Sequence, residues 1–370
     1  MVREFVIMAT RSMKDYAARV VRQVTKFPDF ATLEGCDAVK ALQTNRFADG
    51  EMEVVIDTSI RGKDVVLFTS CAHNEANIPV EAAKIEAYFA VDALKRGQAS
   101  RIILFEPFVS CSRSDRTSRR SSVGLWVHFK TLVSLGARHI VTYQLQSDKS
   151  KSIVDPTMCL VDDIPALTLL KRYLCDVYIR DSKTLEQEVR PHWAFCSVDA
   201  GGEKLARDFA NSFGAPLVVA HKQRDYSRMN TIESINILSA EPIEGKVLWI
   251  VDDMVDTAGS VSSLIGALVP LKPAEINIIA VHAIFSPPAS QRLSQLAEQG
   301  LLRRIIVTDT VYCPYSSPEK IPGLEVVPST ELSAQIIRAI VSNRPMSNLL
   351  QPFSAETYLR SPTLFHHTEP

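Results

Sequence analysis

Val247-Leu-Trp-Ile-Val-Asp-Asp-Met-Val-Asp-Thr-Ala-Gly-Ser260 is the stretch from which the rest of the chain becomes readable. An apolar run ends in two adjacent carboxylates, Asp252 and Asp253. Asp256, Thr257, Ala258, Gly259 and Ser260 follow, and then an apolar-periodic segment over 261–271. A buried strand, a turn of small and hydroxylated residues and a helix together make an anion site. The first N–H groups of a helix lack intrahelical partners and point at a negative group. Gly259 lets backbone come close, and Thr257 and Ser260 add hydroxyl donors. Two carboxylates beside a phosphate make electrostatic sense if they face sugar hydroxyls or reach bound Mg²⁺. A plain helix start with Asp and Thr as caps would explain one residue, not the string. Neither GxxxxGK[ST] nor GxGxxG is present, so this is neither a Walker A loop nor a dinucleotide fingerprint.

Working outward, similar apolar runs recur at 65–69, 101–105, 139–143, 194–198, 217–220, 276–283 and 304–308. They are rich in Val and Ile and lack polar alternation, as strands buried on both faces of a parallel sheet do. Helix-like segments lie between them at 78–96, 124–135, 205–213 and 289–299. The alternation predicts an α/β protein with mostly parallel sheets flanked by helices and functional loops at the carboxyl ends of strands. It runs twice, over roughly 5–145 and 190–330, with 147–163 as a crossing loop. The expected division is a domain at 1–163 with 340–352 packing back on it, a domain at 164–339, and a mobile tail at 353–370. The helix near the end, around 332–342, is expected to return to the first domain.

Composition narrows the function classes. Lys plus Arg number 41 and Asp plus Glu 42, which removes the bulk electrostatic case for nucleic acid or an anionic membrane. Apolar residues at 46% exclude whole-chain disorder. The 7 cysteines are scattered and form no CxxC pair, so a zinc ribbon is not expected. The opening MVREFVIMAT has no long apolar segment, and no run approaches the ~20 residues of a membrane helix. A reducing, cytoplasmic setting is expected.

Several other segments carry chemistry. Asp199, Ala200, Gly201 and Gly202 follow an apolar run and precede a helix, a turn that either exposes N–H groups to an anion or merely connects. Lys222 and Arg224 follow another apolar run. A Lys-x-Arg there can close on a phosphoryl group in flight, or be a solvated basic turn. Phe47, Asp49 and Glu51 fall in Arg46-Phe-Ala-Asp-Gly-Glu51, which locally reads as a hairpin because Asp-Gly is a common turn pair. Residues 112–120 carry Arg113, Asp115, Arg116, Arg119 and Arg120, an isolated basic loop suited to nucleotide phosphates. Cys196 and His282, inside apolar runs, read as core residues.

In their order and spacing over about 5–350, these segments resemble the ribose-phosphate diphosphokinase family, also called phosphoribosyl pyrophosphate synthetases. The resemblance implies two stacked domains of the type I phosphoribosyltransferase kind. It implies ATP and ribose 5-phosphate as substrates, Mg²⁺ as cofactor, and a dimer-based homo-oligomer, with a hexamer among the forms open to it. By resemblance, Asp252 and Asp253 take the ribose hydroxyls, and Asp256, Thr257, Ala258, Gly259 and Ser260 take the 5-phosphate. Asp199, Ala200, Gly201 and Gly202 take pyrophosphate, with Asp199 also on the metal. Phe47, Asp49, Glu51, Arg113 and Asp115 contact ATP, and Lys222 and Arg224 are catalytic. Two departures stand out. The family's Arg-Gln-Asp is Arg113-Ser114-Asp115, and its Asp-Leu-His triplet is Gln144-Leu145-Gln146. Gln146 then occupies a metal position with a neutral amide, a poor ligand for a hard cation. That departure keeps a second expectation open, a non-catalytic subunit that binds a catalytic homologue.

Overall fold

Runs of Val, Ile and Leu with no polar interruption can be buried only between two layers of helix, and that is where they lie. The computed structural model describes residues 4–30, 38–117, 120–224, 232–314 and 321–361. The chain divides into two units, each with its own sheet.

The first unit comprises Met1–Pro165, Thr310–Tyr312 and Pro328–Leu350. Its strands are β1 (Phe5–Ala9), β2 (Val39–Lys40), β3 (Leu42–Arg46), β4 (Met52–Ile56), β5 (Asp64–Phe68), β6 (Arg101–Phe105), β7 (Ala137–Tyr143) and β8 (Leu160–Ile164). Six of them form a parallel sheet in the order β2-β1-β5-β6-β7-β8, and β3 and β4 form a separate antiparallel hairpin. Every residue of β5, Asp-Val-Val-Leu-Phe, is buried. The helices Val80–Arg96 and Gly124–Leu135 pack Ala90, Val91, Leu94, Leu125, Phe129 and Leu132 onto it.

Three expectations need correction here. The crossing loop at 147–163 contains β8. That strand was hidden because it reads Leu-Val-Asp-Asp-Ile, yet its acids are used: Asp162 meets His139 Nε2 at 2.7 Å and Asp163 accepts from the Leu145 amide at 2.9 Å. The helix expected around 332–342 does return, as Thr330–Val341, but the returning segment begins at Pro328 rather than at 340. A buried hydroxyl cluster fixes it, with Tyr16 Oη 2.7 Å from Ser329 Oγ and 2.8 Å from Ser333 Oγ, and Tyr143 Oη 2.6 Å from Ser333 Oγ. The segment from 353 is not a tail throughout. Phe353 and Tyr358 are buried in the second unit, Ser354 caps the helix Ala355–Arg360, and Tyr358 donates to Asp176 at 2.8 Å. Residues 362–370 lie outside the described residues.

The second unit comprises Ala166–Asp309, Cys313–Val327 and Gln351–Pro370. It holds β9 (Trp193–Ser197), β10 (Leu217–Arg224), β11 (Ile232–Ser239), β12 (Val247–Val255), β13 (Glu275–Ala283), β14 (Arg304–Thr308) and β15 (Leu324–Val327). Their order is β11-β10-β9-β12-β13-β14-β15; only the β10–β11 pair is antiparallel. The turn before β15 depends on Gly323, whose φ is +75° and whose missing side chain leaves room for the Arg303 carbonyl. Gly323→Ala puts a methyl group against that oxygen in left-handed backbone. It is expected to destabilise the unit by at least ~1–3 kcal/mol, read as a lower denaturant midpoint; an unshifted midpoint would refute the account.

Candidate functional site

β9 is the hinge of the second sheet's topology. From β9 the chain builds outward through β10 to β11, then returns to the other side of β9 with β12 and continues to β15. In open α/β sheets ligands sit outside the carboxyl ends of strands at such a reversal, because the connecting loops diverge there and leave a crevice. β9 ends at Ser197 and leads into Asp199–Gly202, and β12 ends at Val255 and leads into Asp256–Ser260. Register pairs Val251 with Ser197, so the two loops leave from neighbouring strands. Lys222 lies near the carboxyl end of β10, the other neighbour of β9.

Asp252 and Asp253 lie within β12, which runs past the expected end at 251 because it keeps pairing with β13, Asp252 against Ala280. Asp253 is buried, Asp252 is half-buried, and the Asp253 amide donates to Asp252 Oδ1 at 2.9 Å. Burial first, then the Asp253 charge, pushes the Asp252 carboxyl well above the usual range, and burial raises Asp253 as well. Asp199 adds repulsion to both. Two carboxyls that resist losing their protons, with the Asp199 oxygens near them, suit a cation or a row of sugar hydroxyls.

Asp199 also organises its own loop. Its Oδ1 accepts from the Gly201 amide at 2.9 Å and the Gly202 amide at 3.1 Å, while its Oδ2 lies 4.0 Å from Lys222 Nζ. The Lys222 side chain is only 4% exposed, so an ammonium is held deep beside a half-exposed carboxylate. In the neighbouring loop Ala258 adopts left-handed backbone, φ 58° and ψ 9°, directly before the helix Gly259–Leu268. A non-glycine there is strained. Ser262 supports the turn by donating from both amide and hydroxyl to the Ala258 carbonyl, at 2.9 and 2.7 Å. Thr257 and Ser260 are exposed, Asp256 and Gly259 half-buried.

One cation at this loop escapes any reading of motifs. Arg292, on the helix Ala289–Glu298, donates Nη1 to the Thr257 carbonyl at 2.9 Å and borders Gly259. It sits on an amphipathic helix where an exposed Arg is ordinary, and only the tertiary fold brings it to the loop.

In the first unit the hairpin reading of 46–51 holds. Phe47 is 54% exposed at the tip of β3–β4, its amide bonded to the Glu51 carbonyl at 2.9 Å. Asp49 accepts from the Glu51 amide at 3.0 Å, so it shapes the turn; Asp49 and Glu51 are exposed. Arg113 is exposed and Asp115 half-buried, in a loop pinned by Ser114, whose hydroxyl accepts from the Gly124 amide at 3.0 Å and donates to the Ser122 carbonyl at 3.2 Å. Gln146 is exposed beyond β7. Ala200 and Gly201 are exposed and Gly202 buried. The Arg224 side chain, like Arg119, lies outside what is described. Cys196 is fully buried, its thiol pushed up to about 12 by burial, and His282 is buried in β13.

These features meet a known pattern. The N-terminal domain of ribose phosphate pyrophosphokinase matches residues 5–136, and the phosphoribosyl transferase domain matches residues 181–297. The ribose-phosphate pyrophosphokinase of Mycobacterium leprae is 30% identical over 313 residues, covering 84% of this chain and 88% of that one. The chain belongs to the ribose-phosphate pyrophosphokinase family. The Fusobacterium nucleatum ribose-phosphate pyrophosphokinase is 28% identical over 83% of this chain and 89% of its own. The crystal structure of phosphoribosylpyrophosphate synthetase from Mycobacterium smegmatis matches with a TM-score of 0.74 at 29% identity, over 92% of this chain and 100% of that one.

Proposed function

We propose that the chain moves the diphosphoryl group of ATP to O1 of ribose 5-phosphate, giving 5-phosphoribosyl 1-pyrophosphate and AMP. The observation that carries the reading is the set around the β9–β12 reversal, where Asp199, Asp252, Asp253 and the nearly buried Lys222 share one electrostatic neighbourhood. The 1-hydroxyl oxygen bonds to the β-phosphorus and gives up its proton to solvent, the bond from that phosphorus to the α-side bridging oxygen breaks, and AMP leaves with the bridging oxygen. Lys222, with Arg224, stabilises charge on the group in flight. Asp252 and Asp253 accept from the ribose 2- and 3-hydroxyls and so orient O1. Asp256, Thr257, Ala258, Gly259 and Ser260 hold the 5-phosphate at the helix start, where amides and hydroxyls point outward. Asp199, Ala200, Gly201 and Gly202 hold the pyrophosphate.

Asp199 would also hold Mg²⁺, and the mutual repulsion of the three carboxylates fits such an ion. Bound there, Mg²⁺ supplies neutralisation of phosphate charge. Phe47, Asp49, Glu51, Arg113 and Asp115 are the residues of the first unit assigned to ATP. A cytoplasmic, dimer-based homo-oligomer belongs to the same reading; among the described residues no helix is long and apolar enough to cross a membrane.

The test is to incubate the purified chain with ATP, Mg²⁺ and ribose 5-phosphate and follow AMP and the new diphosphate ester by phosphorus NMR. Equimolar formation of both is expected. No AMP above background across a range of Mg²⁺ and phosphate would end the enzyme reading for the isolated chain. It would favour a non-catalytic subunit, for which the specific feature is Gln144-Leu145-Gln146 in place of the family's metal-binding triplet.

A further inference from the structure

The first unit buries a set of donor atoms that the proposed reaction does not use. Cys71 follows β5, Glu106 follows β6, and His128 lies on the helix Gly124–Leu135; each is at most 1% exposed. One ligand atom from each falls within 4.8 Å of the others. β5 and β6 are adjacent parallel strands, and β5 borders β1, from which the chain builds in both directions. Cys71 therefore leaves from a strand end at the first sheet's own reversal, where such folds place ligands, and Glu106 leaves from the adjacent strand.

The neighbours orient the donors. His128 Nε2 lies 2.9 Å from Glu106 Oε2, and the Tyr88 hydroxyl lies 3.0 Å from His128 Nδ1. The Ser110 amide donates to Glu106 Oε1 at 3.3 Å, and the Cys71 thiol lies beside the same carboxylate. Glu106 and His128 each have one polar atom engaged from outside while the other faces a common point. A metal-bound histidine has that arrangement, its remote nitrogen held by a second group. Lys84, donating to Cys111 Sγ at 3.1 Å, borders the cluster.

A buried Tyr–His–Glu network would satisfy its own polar atoms without a metal. A thiol adds only a weak hydrogen-bond partner to such a network, whereas it is a strong ligand for a soft or borderline metal ion. Cysteine, histidine and a carboxylate together make a zinc donor set with an open fourth position, and a poor set for Mg²⁺. We propose that Cys71 Sγ, Glu106 Oε2 and His128 Nε2 bind one transition-metal ion of the Zn²⁺ class, distinct from the Mg²⁺ of the reaction. Binding releases the Cys71 proton. The ion ties the ends of β5 and β6 to the helix, and so anchors the segment that runs from Glu106 to Arg113 and Asp115.

The full-length chain, stripped with a chelator, is titrated with Co²⁺ and then with Zn²⁺. One equivalent of Co²⁺ is expected to give a thiolate-to-cobalt charge-transfer band in the near ultraviolet, which Zn²⁺ abolishes. Co²⁺ in an all-oxygen Mg²⁺ site gives no such band. Cys71→Ser is expected to lose the band, and Tyr88→Phe to weaken Co²⁺ binding about 10–100-fold. Absence of the band in the unaltered chain overturns the assignment, as does a band that survives Cys71→Ser. Should Cys71→Ser fail to fold by circular dichroism, Tyr88→Phe decides, and unchanged Co²⁺ affinity there overturns it.

Discussion

Lys222→Ala is expected to lower the rate of AMP release by about 10²–10³-fold, the usual loss when one preorganised charge at a phosphoryl or oxyanion centre is removed. The ammonium lies 4.0 Å from Asp199 Oδ2 on a side chain only 4% exposed. It is therefore desolvated before substrate arrives and spends little reorganisation in the transition state. The loss should fall on kcat more than on KM for ribose 5-phosphate, because the charge acts on the moving diphosphoryl group. The fold should survive, since Asp199 remains tied to the Gly201 and Gly202 amides. Steady-state kinetics with a thermal melt reads both. A wild-type rate would remove Lys222 from the chemistry, and a collapsed melt would make it a structural ion pair.

Asp252→Asn should move activity and stability in opposite directions. The carboxyl is pushed above its usual range by burial and by Asp253, so the folded chain holds that proton more tightly than the unfolded chain does. Its contribution to stability is therefore fullest at low pH and is lost as pH rises from the unfolded carboxylate range toward the folded value. Near neutrality Asp252 is a burden, and the neutral amide removes it. A gain of about 0.5–2 kcal/mol is expected at pH 7 without Mg²⁺, shrinking toward pH 4. The amide oxygen can still accept from the Asp253 amide. Activity should fall about 10–100-fold in kcat/KM for ribose 5-phosphate, matching ~1.5–3 kcal/mol for a hydrogen bond to a charged acceptor. Denaturant titrations at the two pH values give the first result and initial rates the second. A variant less stable at pH 7 would contradict the electrostatic reading of the pair.

What could be read ahead of the structure divides by physical cause. Strands buried on both faces announce themselves, because nothing but apolar residues survives there; 101–105 and 304–308 coincide with β6 and β14. The acidic string was legible because strand, turn and helix start are contiguous. β8 was not, since an edge strand tolerates acids that only tertiary partners make useful. Arg292 and the cluster of Cys71, Glu106 and His128 were invisible for a simpler reason. Each residue is unremarkable locally, and the spacings from 71 to 106 to 128 match no metal motif, so only the pairing of β5 with β6 and the packing of the helix Gly124–Leu135 bring them together.

The first unit is discontinuous: its sheet is complete by residue 165, but the helix that covers Tyr16 and Tyr143 arrives only at Thr330–Val341. During synthesis from the N-terminus, nearly all of the second unit leaves the ribosome before that helix does. The first sheet must wait with an uncovered face bearing two tyrosine hydroxyls that lack their serine partners. A fragment ending at 165 is thus an arrested intermediate rather than a domain, and the stretch from Pro328 to Leu350 behaves as a latch whose late arrival makes the first half's maturity depend on completion of the second.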